Sequence, residues 1–252
     1  MINALTVGGK EELLRALAAR GVKGEGRCKS RGLRTGLEAL DEMSPGGELQ
    51  GGAVHELLWR KSSPCPTTFA LLLARAAQKS SGNGGAGGGV GGAVVWSDPD
   101  RELYLPALSA AGIDLRRLLL LRCAGRKEQL WALAECMRCR GVSATVAEVG
   151  RLSQVEARRL QLAAERGGGV GVLMREWSPG SSVPYAAATR WLVEPVVGDE
   201  GAQRWQVELL HGHGGRTGKV LLLEVSRETR ALRASAMVAD RPSLPAASRA
   251  TG

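Results

Sequence analysis

The chain has 252 residues, enough for one α/β domain with a small appendage, and 44% of them are hydrophobic. Only 4% are aromatic, so Leu, Val and Ala must build the core, and no apolar run approaches the length of a membrane-spanning helix. The net charge of +9 favours an acidic partner, either nucleic acid or a protein surface, although an Arg-rich solvated surface from a high-GC genome explains it equally well.

The cysteines and the first residues bear on the compartment in which the protein works. Five cysteines, an odd number in a chain of this length, are typical of reduced thiols in a cytoplasmic protein. The first ten residues lack the charged-then-apolar order of a signal peptide. We therefore expect a cytoplasmic protein that does not associate with a membrane.

Residues 10–20 predict a short amphipathic helix. Leu13, Leu14 and Leu17 form one apolar stripe, and acidic residues occupy the first turn. Such a stripe either covers an edge of its own core or docks on a neighbouring subunit. We keep these three leucines as candidate partner-binding residues.

Composition divides the chain into four parts. They are an N-terminal helix at 1–22, a basic linker at 23–34, a core at 35–240 and a disordered tail at 241–252. Within the core, eight of the eleven residues in 82–92 are glycine, which predicts a flexible loop.

From Thr35 onward, apolar strand-like segments alternate with helix-like segments. The predicted strands are Ala53–Trp59, Ala93–Ser97, Leu118–Leu121, Val142–Val149 and Gly169–Met174. The predicted helices are Pro66–Gln78, Leu105–Ala111, Lys127–Arg140 and Ser153–Arg166. Strands that are apolar on both faces and separated by helices indicate an α/β fold, with a mostly parallel sheet covered by helices on both faces.

The last third of the chain changes character. Three strand-like segments separated by Gly-rich turns predict an antiparallel meander at the sheet edge. They are Thr189–Val197, Gln203–His211 and Lys219–Ser226. Trp191 and Trp205 are expected to pack in the core or across strands rather than to stack on a ligand.

The segment after the first core strand has the position of a phosphate-binding loop but not its residues. The pattern G-x-x-x-x-G-K-[ST] uses backbone amides, a Lys and a hydroxyl to hold phosphates and Mg²⁺. Its four required positions are occupied by Trp59, Pro64, Cys65 and Pro66. Trp lacks glycine's backbone freedom, both prolines lack an N–H, and Cys brings no positive charge. We therefore expect a degenerate loop and no bound cofactor.

The order of these pieces resembles the RecA recombinase core and, more closely, the RecA/SulA-like ImuA accessory family. The stretches that carry the resemblance are Thr35–Leu37, Leu40–Asp41, Pro45–Gly47, Gly51–Leu57, Ala110–Asp114, Leu118–Leu119, Arg159–Glu165, Gly168–Leu173 and Ala188–Trp191. They extend over most of residues 35–226. The resemblance implies a RecA-like P-loop NTPase core with a degenerate Walker A loop.

The resemblance implies that the protein acts mainly by contacting other proteins in DNA-damage-induced mutagenesis, which is part of the SOS response. Proteins of this family act with RecA, with an inactive polymerase homologue called ImuB and with an error-prone C-family polymerase. The expected function is thus a non-catalytic adaptor for translesion synthesis. A divergent RecA-like ATPase with DNA-linked activity is the alternative, and a cell-division inhibitor of the SulA type ranks below both.

Several acidic residues lie where a RecA-like ATPase places its catalytic carboxylates. Glu148 lies at the end of the fourth core strand, at the position of a metal-linked acid, and is a vestigial Walker B residue or a plain surface acid. Asp98, Asp100 and Glu102 follow the second strand, where a general base belongs, but a helix start explains them more simply.

Two short loops stand where a recombinase has its DNA-binding loops. Residues 150–152 and 176–184 are too short for strand exchange. Basic groups beside a stacking ring can still hold a single strand weakly. The candidates for this contact are Arg151, Arg158, Arg159, Arg175 and Trp177.

The remaining metal-ligand types do not form a recognisable site. Cys136 and Cys139 lie in a predicted helix without a second cysteine pair, and His211 and His213 have no carboxylate or cysteine near them in sequence. We expect no metal site.

Overall fold

The computed structural model describes residues 4–6, 10–18, 32–80, 92–177, 186–196, 202–212, 217–226 and 232–238. Most of the predicted linker, nearly all of the glycine-rich loop, His213 and the predicted tail lie outside these residues.

Ten strands and six α-helices make up the described chain. The strands are β1 Ala4–Thr6, β2 Val54–Arg60, β3 Ala93–Ser97, β4 Leu118–Arg122, β5 Val142–Glu148, β6 Val170–Trp177, β7 Thr189–Val196, β8 Ala202–Gly212, β9 Val220–Ser226 and β10 Leu232–Val238. The helices are α1 Lys10–Ala18, α2 Glu38–Met43, α3 Thr67–Ser80, α4 Leu105–Ala110, α5 Arg126–Arg138 and α6 Gln154–Gly167.

All ten strands form one sheet, in the order β1-β4-β3-β5-β6-β2-β7-β8-β9-β10. Every pair from β1 to β7 is parallel, and the pairs from β7 to β10 are antiparallel. The predicted α/β class, with a mostly parallel sheet and an antiparallel C-terminal edge, is confirmed. The arrangement is consistent with a RecA-like core.

Helices cover both faces of the parallel part, because alternate residues of each buried strand point to opposite sides. Phe69 and Leu73 of α3 pack with strand residues such as Trp96 and Val172 on one face. Leu133 of α5 and Leu160 of α6 belong to a second core cluster on the other face, with strand residues such as Val95, Leu119, Ala147 and Leu173. These two clusters hold the β2–α3 loop and the ends of the neighbouring strands at one edge of the sheet.

Helices α5 and α6 pack against each other most closely at their C-terminal ends. A Cβ atom on Gly167 would overlap the carbonyl oxygen of Met137, so only glycine permits this approach. Gly168, with a φ of 83°, then ends α6 in the left-handed conformation. This packing fixes the relative position of α5 and α6 on the second face.

Three elements were not predicted from the sequence: α2, β1 and β10. Helix α2 is only six residues long, and it buries Leu40 and Met43 against the first core cluster. The Asp41 carboxylate accepts hydrogen bonds from the backbone N–H and the hydroxyl of Thr35, both at 2.8 Å. These contacts rather than helical periodicity hold the segment in place.

Candidate functional site

The loop between β2 and α3 has the position of a phosphate-binding loop, and its first motif position is a core residue. Trp59 is 8% exposed and packs in the cluster on the α3 face. Strand β2 continues through Arg60 instead of turning at position 59. The backbone therefore remains extended where the motif requires a glycine.

Hydrogen bonds within the loop occupy part of its backbone. The N–H of Ser63 donates to the carbonyl of Arg60, and the N–H of Thr67 donates to that of Cys65, both at 2.8 Å. Pro64 and Pro66 carry no N–H. The amides of Ser63 and Thr67 are thus bonded internally, and positions 64 and 66 have no amide to direct at a ligand. That the loop binds no nucleotide stays a prediction.

The Cys65 thiol lies against the end of β6 and beside Glu148. Its sulfur is 3.8 Å from that of Met174. Burial, and to a smaller degree the nearby negative charge of Glu148, raise the pKa of Cys65 to about 11. The position that carries a lysine cation in the motif therefore holds a neutral thiol at physiological pH.

The acidic residues of this edge differ in exposure. Glu148 is exposed at the end of β5, and its carbonyl accepts a hydrogen bond from Gln129, which also donates to Ser97. Asp98 is buried and accepts from the N–H groups of Glu102 and Leu103, at 2.9 and 3.1 Å. Asp98 thus holds the turn after β3. Helix α4 begins only at Leu105, so the prediction that Asp98 starts a helix is wrong.

Arg60 connects three strands at the same edge. Its Nε lies 2.5 Å from Glu194 of β7, and its guanidinium carbon lies 4.7 Å from the ring centroid of Trp177 on β6. Because the arginine already stacks on one face of this indole, a base has less of the ring to stack on.

Arg175 is not on the surface, and the prediction that it contacts nucleic acid is wrong. Its side chain is 4% exposed and binds Glu56 through two nitrogens, at 3.0 and 3.1 Å. Arg190 donates to the same carboxylate at 2.8 Å. No local pattern in the sequence indicates this buried pair, since Glu56 and Arg175 are 119 positions apart.

The other three predicted arginines are exposed and lie on α6 or just before it. Arg158 and Arg159 are on the helix, and Arg151 precedes it. The carbonyl of Arg151 accepts a 2.6 Å hydrogen bond from Arg126, whose guanidinium also binds both carboxylate oxygens of Glu156. The predicted nucleic-acid set is therefore divided between an exposed helix, a buried ion pair and a partly covered ring.

The leucine stripe of α1 faces the protein's own core. Leu13 and Leu17 are buried in the second cluster, so the prediction that they bind a partner is wrong. The alternative interpretation, in which the helix covers a core edge, holds for both. Leu14 is 39% exposed and is the one member of the stripe at the surface.

Within the described residues, no group of three or more His, Cys, Asp or Glu side chains could hold a metal ion. Cys136 is buried in α5, and Cys139 is half-buried beyond its end. Among the described helices, none has the length and apolar character needed to cross a membrane.

These features define an α/β protein whose mostly parallel sheet, covered by helices, is consistent with a RecA-like core. No family model matches the chain. The protein ImuA of Caulobacter vibrioides, from strains NA1000/CB15N and ATCC 19089/CIP 103742/CB 15, is 31% identical over 209 residues. The alignment covers 75% of this chain and 82% of each relative. The chain belongs to the ImuA family.

Proposed function

We propose that this chain is a non-catalytic adaptor in DNA-damage-induced mutagenesis. It binds RecA and an ImuB-like polymerase homologue, and through them supports or regulates translesion synthesis by an error-prone C-family polymerase. Its membership of the ImuA family supports this role. The proposal places the protein in the cytoplasm, where these partners act.

The structure of the β2–α3 loop is the observation that supports the proposal that the chain is not an ATPase. Trp59 packs in the core, two loop amides bond to loop carbonyls, and the lysine position holds a neutral thiol. Phosphate binding needs free amides and positive charge in one place. A loop built in this way favours a scaffold over an ATPase.

A divergent ATPase is the second candidate, and one observation favours it. Glu148 is exposed at the end of β5 and close enough to Cys65 to affect its pKa, so a carboxylate does border the loop. A Mg²⁺ ion carried in with ATP would find one oxygen ligand there.

Calorimetric titration with ATP and Mg²⁺ separates these candidates. We expect no submicromolar binding and no steady turnover by the purified chain. If weak binding is found, Lys61→Ala tests whether the loop is responsible, and Lys79→Ala, a surface lysine at the far end of α3, is the matched control. Submicromolar affinity that Lys61→Ala removes and Lys79→Ala does not would establish the ATPase candidate instead.

Capture of purified partners tests the adaptor part. The immobilised chain is expected to retain RecA and an ImuB-like protein, each added alone and without nucleotide. Retention of neither would contradict the adaptor function whatever the outcome of the titration.

A further inference from the structure

The outer face of α6 and the end of α5 form an open groove to which the proposed function assigns no role. Its volume is about 460 Å³. The residues that line it include Arg138, Val155, Arg158, Arg159, Leu162 and Arg166.

Two apolar side chains are exposed in this groove on one side of α6. Val155 is 79% exposed and Leu162 is 38% exposed. They are seven residues apart, so they lie on the same face about two helical turns apart. A single exposed leucine means little, but two aligned apolar side chains in a concave surface are typical of a docking site.

The charge of the groove has one sign. Among the described residues, four arginines line it and no carboxylate does. Arg138 pairs with Glu135 and Arg158 lies 3.7 Å from Glu165, whereas Arg159 and Arg166 pair with no carboxylate of the described chain. An occupant that carries acidic groups around an apolar strip would complement this surface.

The residues of the groove favour a peptide over a nucleic acid strand. Single strands are held by basic groups together with aromatic rings on which bases stack. None of the described residues that line this groove is aromatic, and Trp177 is on β6 under Arg60. Apolar anchors seven residues apart on one helix instead match the spacing of an amphipathic partner helix.

Contacts at both ends of α6 hold this helix in place beside α5. The Ser153 hydroxyl and the Glu156 carboxylate form a capping box at the start of α6. Hydrogen bonds from the Arg126 guanidinium, and then from Ser153, lower the pKa of Glu156 to about 2. The resulting ion pair joins α6 to the first residue of α5, and Gly167 fixes the opposite end. A rigid groove loses little conformational entropy on binding.

We propose that this groove binds an acidic amphipathic segment of a partner protein. The proposal rests on the adaptor function and assigns it a surface. Val155 and Leu162 contact the apolar side of the segment, and Arg159 and Arg166 contact its carboxylates.

The test uses the full chain and a defined probe, a fluorescent helical peptide with leucine on one face and glutamate on the other. The groove variant is Val155→Ser/Arg159→Ala. The matched control, Tyr104→Ser/Arg116→Ala, removes the same kinds of exposed side chain near α4, which packs on the opposite face of the sheet. All four side chains are solvent-exposed, and equal thermal unfolding of both variants verifies the folds.

We expect the groove variant to bind the probe about tenfold more weakly and the control to match the wild type. A peptide with lysine in place of glutamate is expected to bind far more weakly than the probe. Equal loss in both variants, or equal binding of the two peptides, would overturn the proposal. The proposal would also be overturned if the groove variant lost affinity for oligo-dT and kept its affinity for the peptide. The groove would then be a DNA contact.

Partner capture distinguishes failure of the groove from failure of the adaptor function. If wild type and groove variant retain RecA and the ImuB-like protein equally, the adaptor function stands and the groove proposal fails. If the wild type retains neither, the adaptor function fails, and the peptide titration alone decides what the groove binds.

Discussion

His55 is a buried residue with a hydrogen-bond partner for each ring nitrogen. Nδ1 is 2.8 Å from the Thr189 hydroxyl oxygen, which also accepts from the Trp191 indole N–H, and Nε2 is 2.9 Å from the Gln50 carbonyl. The carbonyl accepts only, so Nε2 carries the proton, and Nδ1 accepts from the hydroxyl. Burial lowers the pKa of His55 to about 4, although the hydrogen bond to Gln50 opposes this shift.

This pKa makes the stability of the protein dependent on pH in the acidic range. The unfolded chain takes up the His55 proton near the ordinary pKa, about 6.5, before the folded chain does. The contribution of His55 to the free energy of unfolding therefore has its full value above that pH. It decreases as the pH drops toward about 4. A shift of this size corresponds to roughly 3 kcal/mol.

Urea denaturation across this pH range measures the effect. His55→Gln should flatten the profile, while His211→Asn, which changes a half-buried histidine of β8, should leave its slope in place. An unchanged slope in His55→Gln would show that another group titrates in this range.

At the scale of elements, the buried ion pair of Glu56 joins β2, β6 and β7 on one face of the sheet. Glu56→Gln removes the carboxylate shared by Arg175 and Arg190 while nearly keeping its volume. We expect a loss of about 3–5 kcal/mol in the free energy of unfolding, since removing one partner of a buried pair leaves charge in a low-dielectric site. Chemical denaturation measures this loss.

The same substitution at a half-buried pair is the control. Glu224 binds Arg204 at 3.0 Å between β8 and β9, and both side chains are about one-third exposed. Because solvent screens such a pair, Glu224→Gln should cost less than about 1 kcal/mol. Similar losses in the two variants would mean that the Glu56 network is no more important than a surface pair.

The parts of the fold that were predicted from the sequence are those encoded locally. The β3 bounds agree with the prediction, and the bounds of the other parallel core strands differ by one to three residues, because apolar runs and helix stops are local signals. The antiparallel meander follows from the same signals. Strand β1 was missed because it is three residues long and pairs with β4, far along the chain. Strand β10 pairs with its sequence neighbour β9, so its absence from the prediction has no such reason.

The candidate site was only partly predictable from the sequence, and the wrong predictions about it have a common cause. Arginine in a sequence indicates surface, yet Arg175 is buried because β2 supplies Glu56. The helix that carries Leu13 and Leu17 was predicted correctly. An apolar stripe alone, however, does not specify whether the protein's own core or a partner covers it. The groove on α6 was missed because it depends on how α5 and α6 pack, which the sequence of either helix alone does not state.

On the scale of the whole molecule, a net charge of +9 attracts nucleic acid whether or not a specific site exists. The described chain separates the predicted DNA contacts, leaving Arg151, Arg158 and Arg159 exposed. We therefore expect weak binding of oligo-dT that is mainly electrostatic. With about three phosphate contacts on a single strand, log K should fall with log salt with a slope near −2.

Fluorescence anisotropy with oligo-dT at several salt concentrations measures this slope, and two variants locate the contact. Arg151→Ala/Arg158→Ala should weaken binding and make the slope shallower, because two phosphate contacts are removed. Trp177→Ala should change little, since Arg60 already stacks on its ring. A large loss with Trp177→Ala and a salt-insensitive affinity would instead indicate base stacking, and the protein would then be a strand-binding module as well as an adaptor.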